Sequence, residues 1–224
     1  MLTRTFSIVA LGLVLLIGGQ GWPASAYPTH SYTYRLALAV EVGGEIHRGS
    51  SVINVLWRGQ PYIPGAGSFN PEVRGQATFI DLGSRGAIVA ALINGESYGP
   101  AADGAINALW LVPRAFNAGL SGDDFAIAKL NGRRDLVANN MPRLIWFSNP
   151  ADPKTARKLD AKSIASLLGA KARLVAAYVE ITKDPIVIDI DRRLPWLRTW
   201  NDRLGQGIPI EYGFALKKTM FIGD

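Results

Sequence analysis

The alternation of apolar side chains from Tyr32 to Val42 constrains this chain more than any other stretch. Tyr32, Tyr34, Leu36, Leu38, Val40 and Val42 occupy every second position, the period of a strand with one buried face. Thr33, Arg35 and Glu41 fall on the opposite face, with Ala37 and Ala39 between them. Gly43-Gly44 follows, and two glycines supply the positive backbone angles of a tight turn. A return strand from Ile46 to Trp57 carries Val52, Ile53, Val55 and Trp57 as its apolar members. The pattern predicts a β-hairpin.

Further along, Gln60 to Pro71 holds three prolines and two glycines and predicts a loop. Val73 to Leu82 and Ala87 to Ile93 read as a third and fourth strand, separated by a turn at Gly83-Ser84-Arg85-Gly86. Gly95 to Gly104 is a second loop. Ile106, Leu109, Trp110, Val112 and Phe116 fall near helical spacing, and Pro113 is expected to kink or end that helix. Gly119 to Asp124 is turn-rich, and Arg143 to Phe147 is a short strand. Asp160 before Ala161 to Leu168, with Gly169 after it, is helix punctuation; Ile164, Leu167 and Leu168 are expected to share its buried face. Arg173 to Thr182 is a branched-residue strand, Ile186 to Ile190 could be strand or short helix, and Ile208 to Leu216 is a last strand. Strands without regular βαβ alternation imply an α+β fold. It is expected to be a largely antiparallel β-sheet opening with the N-terminal β-hairpin and packed with two or three short helices.

The first 26 residues read differently. Arg4 precedes an apolar run from Phe6 to Ile17 in which Ser7 is the one polar residue. Gly18 to Pro23 breaks the helix, and Ala24-Ser25-Ala26 places small residues where signal peptidase needs them. This is a secretory signal with cleavage between Ala26 and Tyr27, leaving residues 27–224 as one globular domain. The competing reading is an uncleaved anchor through residues 6–22. A spanning helix needs about 20 apolar residues, and this run is shorter, so cleavage is favoured. The compartment is then periplasmic or cell-envelope associated. The chain has no cysteine, so it uses neither a disulfide, a thiolate metal site nor a thiol nucleophile.

Charge is unevenly placed. Six arginines and six acids cancel between Tyr27 and Leu120, whereas from Ser121 onward 17 Lys plus Arg face 12 acids. A basic face toward an anionic envelope component fits this surplus; a solvated surface with mixed charge is the plainer account. Nucleic acid fits poorly, because no basic run is interleaved with aromatics.

Residues with catalytic chemistry do not converge in the sequence. His30 and His47 lack a second ligand at metal spacing, and no Gly-x-Ser-x-Gly elbow is present. Gly65-Ala66-Gly67 lacks the strand and helix of a phosphate cradle. Asp123-Asp124 reads as a turn; Asp189 and Asp191, with Arg192-Arg193 beside them, read as ion pairs. No catalytic residue, metal ligand or cofactor is implied. The binding residues the sequence points to are Arg192, Arg193, Trp196, Arg198 and Trp200: a helix would bring the two tryptophans, four apart, to one face beside the arginines, as an interfacial or sugar-stacking patch. The competing arrangement is a lid, with the tryptophans packed on the sheet and the arginines extended over them.

Several short segments carry a resemblance. Tyr34-Arg35-Leu36, Gly49-Ser50-Ser51-Val52-Ile53 with Trp57, Gly75-Gln76-Ala77 through Asp81-Leu82-Gly83, Val179-Glu180-Ile181-Thr182 with Asp184-Pro185, and Leu194-Pro195-Trp196-Leu197 resemble a group of uncharacterised exported bacterial proteins. The resemblance implies envelope localisation and transfers no site residue; Ile186 to Ile190 departs from its pattern, which runs through a small polar turn. The expectation is an exported non-enzymatic binding or structural module for an anionic envelope component or a partner protein, its oligomeric state open. One alternative is an envelope hydrolase using carboxylates from Asp81, Asp189 and Asp191. The other is a membrane-tethered structural protein.

Overall fold

The computed structural model describes residues 29–63, 67–95, 101, 104–118, 126–160, 163–200, 207–211 and 214–223. The segment 1–26 read as a secretory signal, Gly65-Ala66, the stretch Gly119–Asp124 read as a turn, and most of the stretch between Gly95 and Gly104 read as a loop lie outside them. Among the described residues the chain is mostly antiparallel sheet with three helices, one of them longer than seven residues. No described helix is long and apolar enough to cross a membrane.

In chain order the strands are β1 (Thr29–Val42), β2 (Glu45–Ile63), β3 (Gly67–Gln76), β4 (Thr78–Asp81), β5 (Ala87–Ala90), β6 (Arg133–Asp135), β7 (Leu144–Phe147), β8 (Ala156–Leu159), β9 (Arg173–Ile181), β10 (Ile208–Glu211), β11 (Phe214–Leu216) and β12 (Ile222–Gly223). The helices are α1 (Ala108–Ala115), α2 (Ser163–Leu168) and α3 (Trp196–Thr199). One sheet runs β12-β3-β2-β1-β9-β6, a second β4-β5-β7-β8, and β10 pairs with β11 alone. β1 and β2 pair in register from Val42↔Glu45 to Thr29↔Arg58, joined by Gly43 and Gly44 at φ of 64° and 87°, angles that only glycine adopts freely. Ala77 alone separates β3 from β4. There the chain leaves the first sheet and enters the second, the way strands turn corners in packed sheets. Close crossing is permitted by Gly49 of β2, where a Cβ would overlap the Phe79 carbonyl oxygen.

The layers follow from the two faces of the short sheet. Ile80 and Ile88 face the inner side of the long sheet, joining Tyr34, Leu36, Ile53 and Val179 with Leu109, Leu111 and Val112 of α1 in one core. Val89, Ile145 and Phe147 face the other way and meet Ile190, Leu194, Leu197, Leu216, Met220 and Phe221 in a second. Covered on both sides, β5 is buried at all four positions, which explains why Ala-Ile-Val-Ala reads as a continuous apolar run rather than an alternation.

Several sequence expectations need correction. The Gln60–Pro71 stretch is not a loop throughout: β2 continues to Ile63 and β3 begins at Gly67. Pro61 sits within the register shift between Gly59 and Ile63, and Pro71, opposite Trp57 of β2, lies on β3, whose far side meets β12 only at Gly75 and Gln76. Bulges and open edges are where strands accept proline. Pro113 does not end α1, which continues to Ala115. The carbonyl deprived of its intrahelical partner by Pro113 is that of Leu109, and the Tyr32 hydroxyl donates to it at 3.0 Å. The Tyr34 hydroxyl donates to the neighbouring Ala108 carbonyl at 2.8 Å. Leu167 is 36% exposed while Ile164 and Leu168 are buried, because a helix of under two turns presents only one narrow stripe. Residues 182–189 are neither strand nor helix; a 3₁₀ turn follows at Ile190–Arg192. The stretch Ile208 to Leu216 is two strands, paired with each other.

Candidate functional site

The tryptophan–arginine segment starts α3, a single helical turn. Trp196 meets Phe221 edge-on at 5.2 Å between ring centroids and lies 6.0 Å from Phe147 and 5.4 Å from Trp200. Its indole Nε1 donates to the Pro150 carbonyl at 3.0 Å. Both tryptophans are therefore half-buried against the second core, the geometry of a lid. The arginines are held by different elements. Arg198 Nε donates to Asp191 at 2.8 Å, and Arg193 lies 3.5 Å from Asp81 and 5.6 Å over the Phe79 ring. Arg192 is exposed.

The three aspartates considered for hydrolysis are occupied similarly. Asp81 accepts the Gly83 amide at 2.8 Å. Asp189 accepts from Gln76 Nε2 at 3.0 Å, while Gln76 Oε1 accepts the Asp189 and Ile190 amides, both at 2.7 Å. The Arg198 hydrogen bond holds the Asp191 carboxyl below the usual carboxylate range, the opposite of what a general acid needs. His47 faces the Glu45 carboxylate at 3.8 Å, and no three metal-ligating side chains converge among the described residues.

A different site emerges on the outer face of the long sheet. The register places Arg35, Ala37 and Ala39 of β1 opposite Val52, Ser50 and Arg48 of β2, and opposite Glu180, Tyr178 and Ala176 of β9. β6 then sets Arg133 across from Glu180. Between these strands lies an open groove of about 500 Å³, lined by Arg35, Ala37, Leu38, Ala39, Arg48, Gly49, Ser50, Arg133, Val175, Ala176 and Tyr178. Its described lining holds three arginines, and Glu180 and Asp135 stand beside it, bonded to Arg35 and Arg133. Ala37 and Ala39 are each only 7% exposed although they lie on the solvent face, because longer side chains rise on either side of them.

Each arginine is held differently. Arg35 pairs with Glu180 at 3.1 Å and with Asp184. Arg133 lies 3.5 Å over the Tyr178 ring, a cation–π contact, and bonds Asp135 at 2.9 Å. Arg48 is exposed and pairs with no carboxylate among the described residues. Segment 182–189 bounds the same face as a strap. It is tied at Asp184 to Arg35 on β1 and at Asp189 to Gln76, the last residue of β3.

Chemically, the groove offers the Arg48 guanidinium above an apolar floor, with Arg35 and Arg133 tied to acids at its rim, and its described lining holds no nucleophile–base pair. Sequence reasoning missed it, since its residues come from four strands. The available signal was Ala37 and Ala39, small side chains on the polar face of an alternating strand that also carries Arg35. In comparisons with known proteins, the chain matches no family model, no curated protein and no solved structure.

Proposed function

We propose that this chain is an exported, envelope-associated binding module without enzymatic activity, and that the outer-face groove holds an anionic envelope component. The observation that carries the reading is a groove of about 500 Å³, a volume in the range of small-molecule sites, lined by three arginines of which Arg48 is the one that pairs with no carboxylate among the described residues. Arg48 supplies the open guanidinium, whose planar fork suits phosphate or carboxylate. The export half of the reading rests on the signal pattern of residues 1–26.

Two measurements test it. Mass spectrometry of the protein recovered from fractionated cells should give an N-terminus at Tyr27 outside the cytoplasm; an intact Met1 terminus in the cytoplasmic fraction overturns export. Retention on isolated bacterial envelope fragments should fall at least tenfold for Arg48→Glu and stay near wild type for Arg198→Glu, with thermal stability unchanged in both. Equal retention of wild type and Arg48→Glu overturns the assignment of the groove.

A further inference from the structure

We infer that the groove's ligand is a single-chain anionic amphiphile, with its phosphate or carboxylate head on Arg48 and its hydrocarbon chain along the alanine floor; this rests on the anionic-ligand reading above. The floor decides the chemistry of the ligand's body. Ala37, Ala39 and Ala176 present methyl groups, and among the described lining residues the hydroxyls beside them are those of Ser50 and Tyr178. A glycan needs several convergent donors and acceptors, or a free aromatic face. The Tyr178 ring already carries the Arg133 guanidinium at 3.5 Å, so it is a poor stacking platform. A hydrocarbon chain needs only apolar surface.

Two exposed aliphatics continue the apolar surface on the same face. Val175 (40% exposed) lines the groove. Ile46 (45%) stands one outward position beyond Arg48, opposite Glu41. Val175 and Ile46 thus extend the apolar surface on the Arg48 side of the trough. The trough is sunk between side-chain walls and sized for one molecule, which favours a monomeric ligand over a bilayer surface.

The test is calorimetric titration of the purified exported protein with inorganic phosphate and with octyl, decyl and dodecyl phosphate below their micellar concentrations. Dodecyl maltoside serves as an uncharged chain. Affinity should rise about fourfold per methylene, the factor that corresponds to 0.8 kcal/mol for each buried CH₂. Arg48→Gln should weaken every alkyl phosphate at least tenfold. Ala176→Leu and, separately, Ala37→Leu should abolish the chain-length dependence with circular dichroism unchanged; both positions open onto the groove, so either variant suffices if the other misfolds. Phosphate and dodecyl phosphate binding with equal affinity would overturn the amphiphile and leave the anionic site standing. Binding to anionic vesicles with none to monomeric alkyl phosphates would overturn it in favour of membrane docking. No binding of any anion would overturn both this inference and the reading it rests on.

Discussion

Tyr32 and Pro113 are far apart in sequence but answer each other in the core. Proline deprives the Leu109 carbonyl of an N–H, and the Tyr32 hydroxyl replaces it at 3.0 Å. Removing a partner from a buried acceptor costs about 1–3 kcal/mol, so Tyr32→Phe should lower stability by that amount in urea unfolding. In a Pro113→Ala background the helix regains its own donor, and the Tyr32→Phe cost should shrink by about 1 kcal/mol, the coupling a double-mutant cycle reads. Equal costs in both backgrounds would contradict the pairing. The same tyrosines set an alkaline limit. Burial pushes the Tyr32 and Tyr34 phenols well above their ordinary value near 10. The unfolded chain then releases these protons at lower pH than the folded one, so stability is intact below pH 10 and falls as pH rises beyond it. Unfolding between pH 9 and 11.5 should show a smaller decline in Tyr32→Phe/Tyr34→Phe than in wild type. At Gly49, a methyl group would strike the Phe79 carbonyl, and Gly49→Ala should cost about 2–3 kcal/mol by overpacking.

Elements differ in how they are held, and that governed what could be read from the sequence. Alternation from Tyr32 to Val42 survives as burial of one face of β1, since a long strand with one wet face leaves its period in the residue types. The run of β5 has no period because both its faces are covered. β8, with Lys and Arg in a four-residue strand, carries no sequence signal; its place is set by pairing with β7. Prolines at 61 and 71 misled because their tolerance depends on bulges and edges, which are properties of the sheet. The strap and the lid give two further expectations. Gln76→Ala removes the side chain that binds both Asp189 and the amides of Asp189 and Ile190. It should cost about 2 kcal/mol and raise hydrogen exchange across 189–191 before the sheets respond. Trp196→Ala strips the lid from Phe147 and Phe221 and should cost about 3–4 kcal/mol. Arg198→Ala, on the exposed side of the same turn, should stay within about 0.5 kcal/mol.

At the scale of the molecule, the short sheet is the middle layer, and the two cores on its faces leave the outer face of the long sheet to solvent. That face carries the arginine-rimmed groove, assembled from β1, β2, β6 and β9. The tryptophan segment that drew attention in the sequence lies on the opposite side of the molecule's layers, closing the second core. Large aromatics beside arginines look alike in a sequence whether they meet a ligand or a core. The groove is legible only once register has placed Ala37 beside Tyr178 and Ala39 beside Arg48. The most direct test is a backbone-amide NMR titration with decyl phosphate. Shift changes should be confined to residues 35–39, 46–50, 133 and 174–178. Changes centred on residues 192–200, or spread over the surface without saturation, would contradict it.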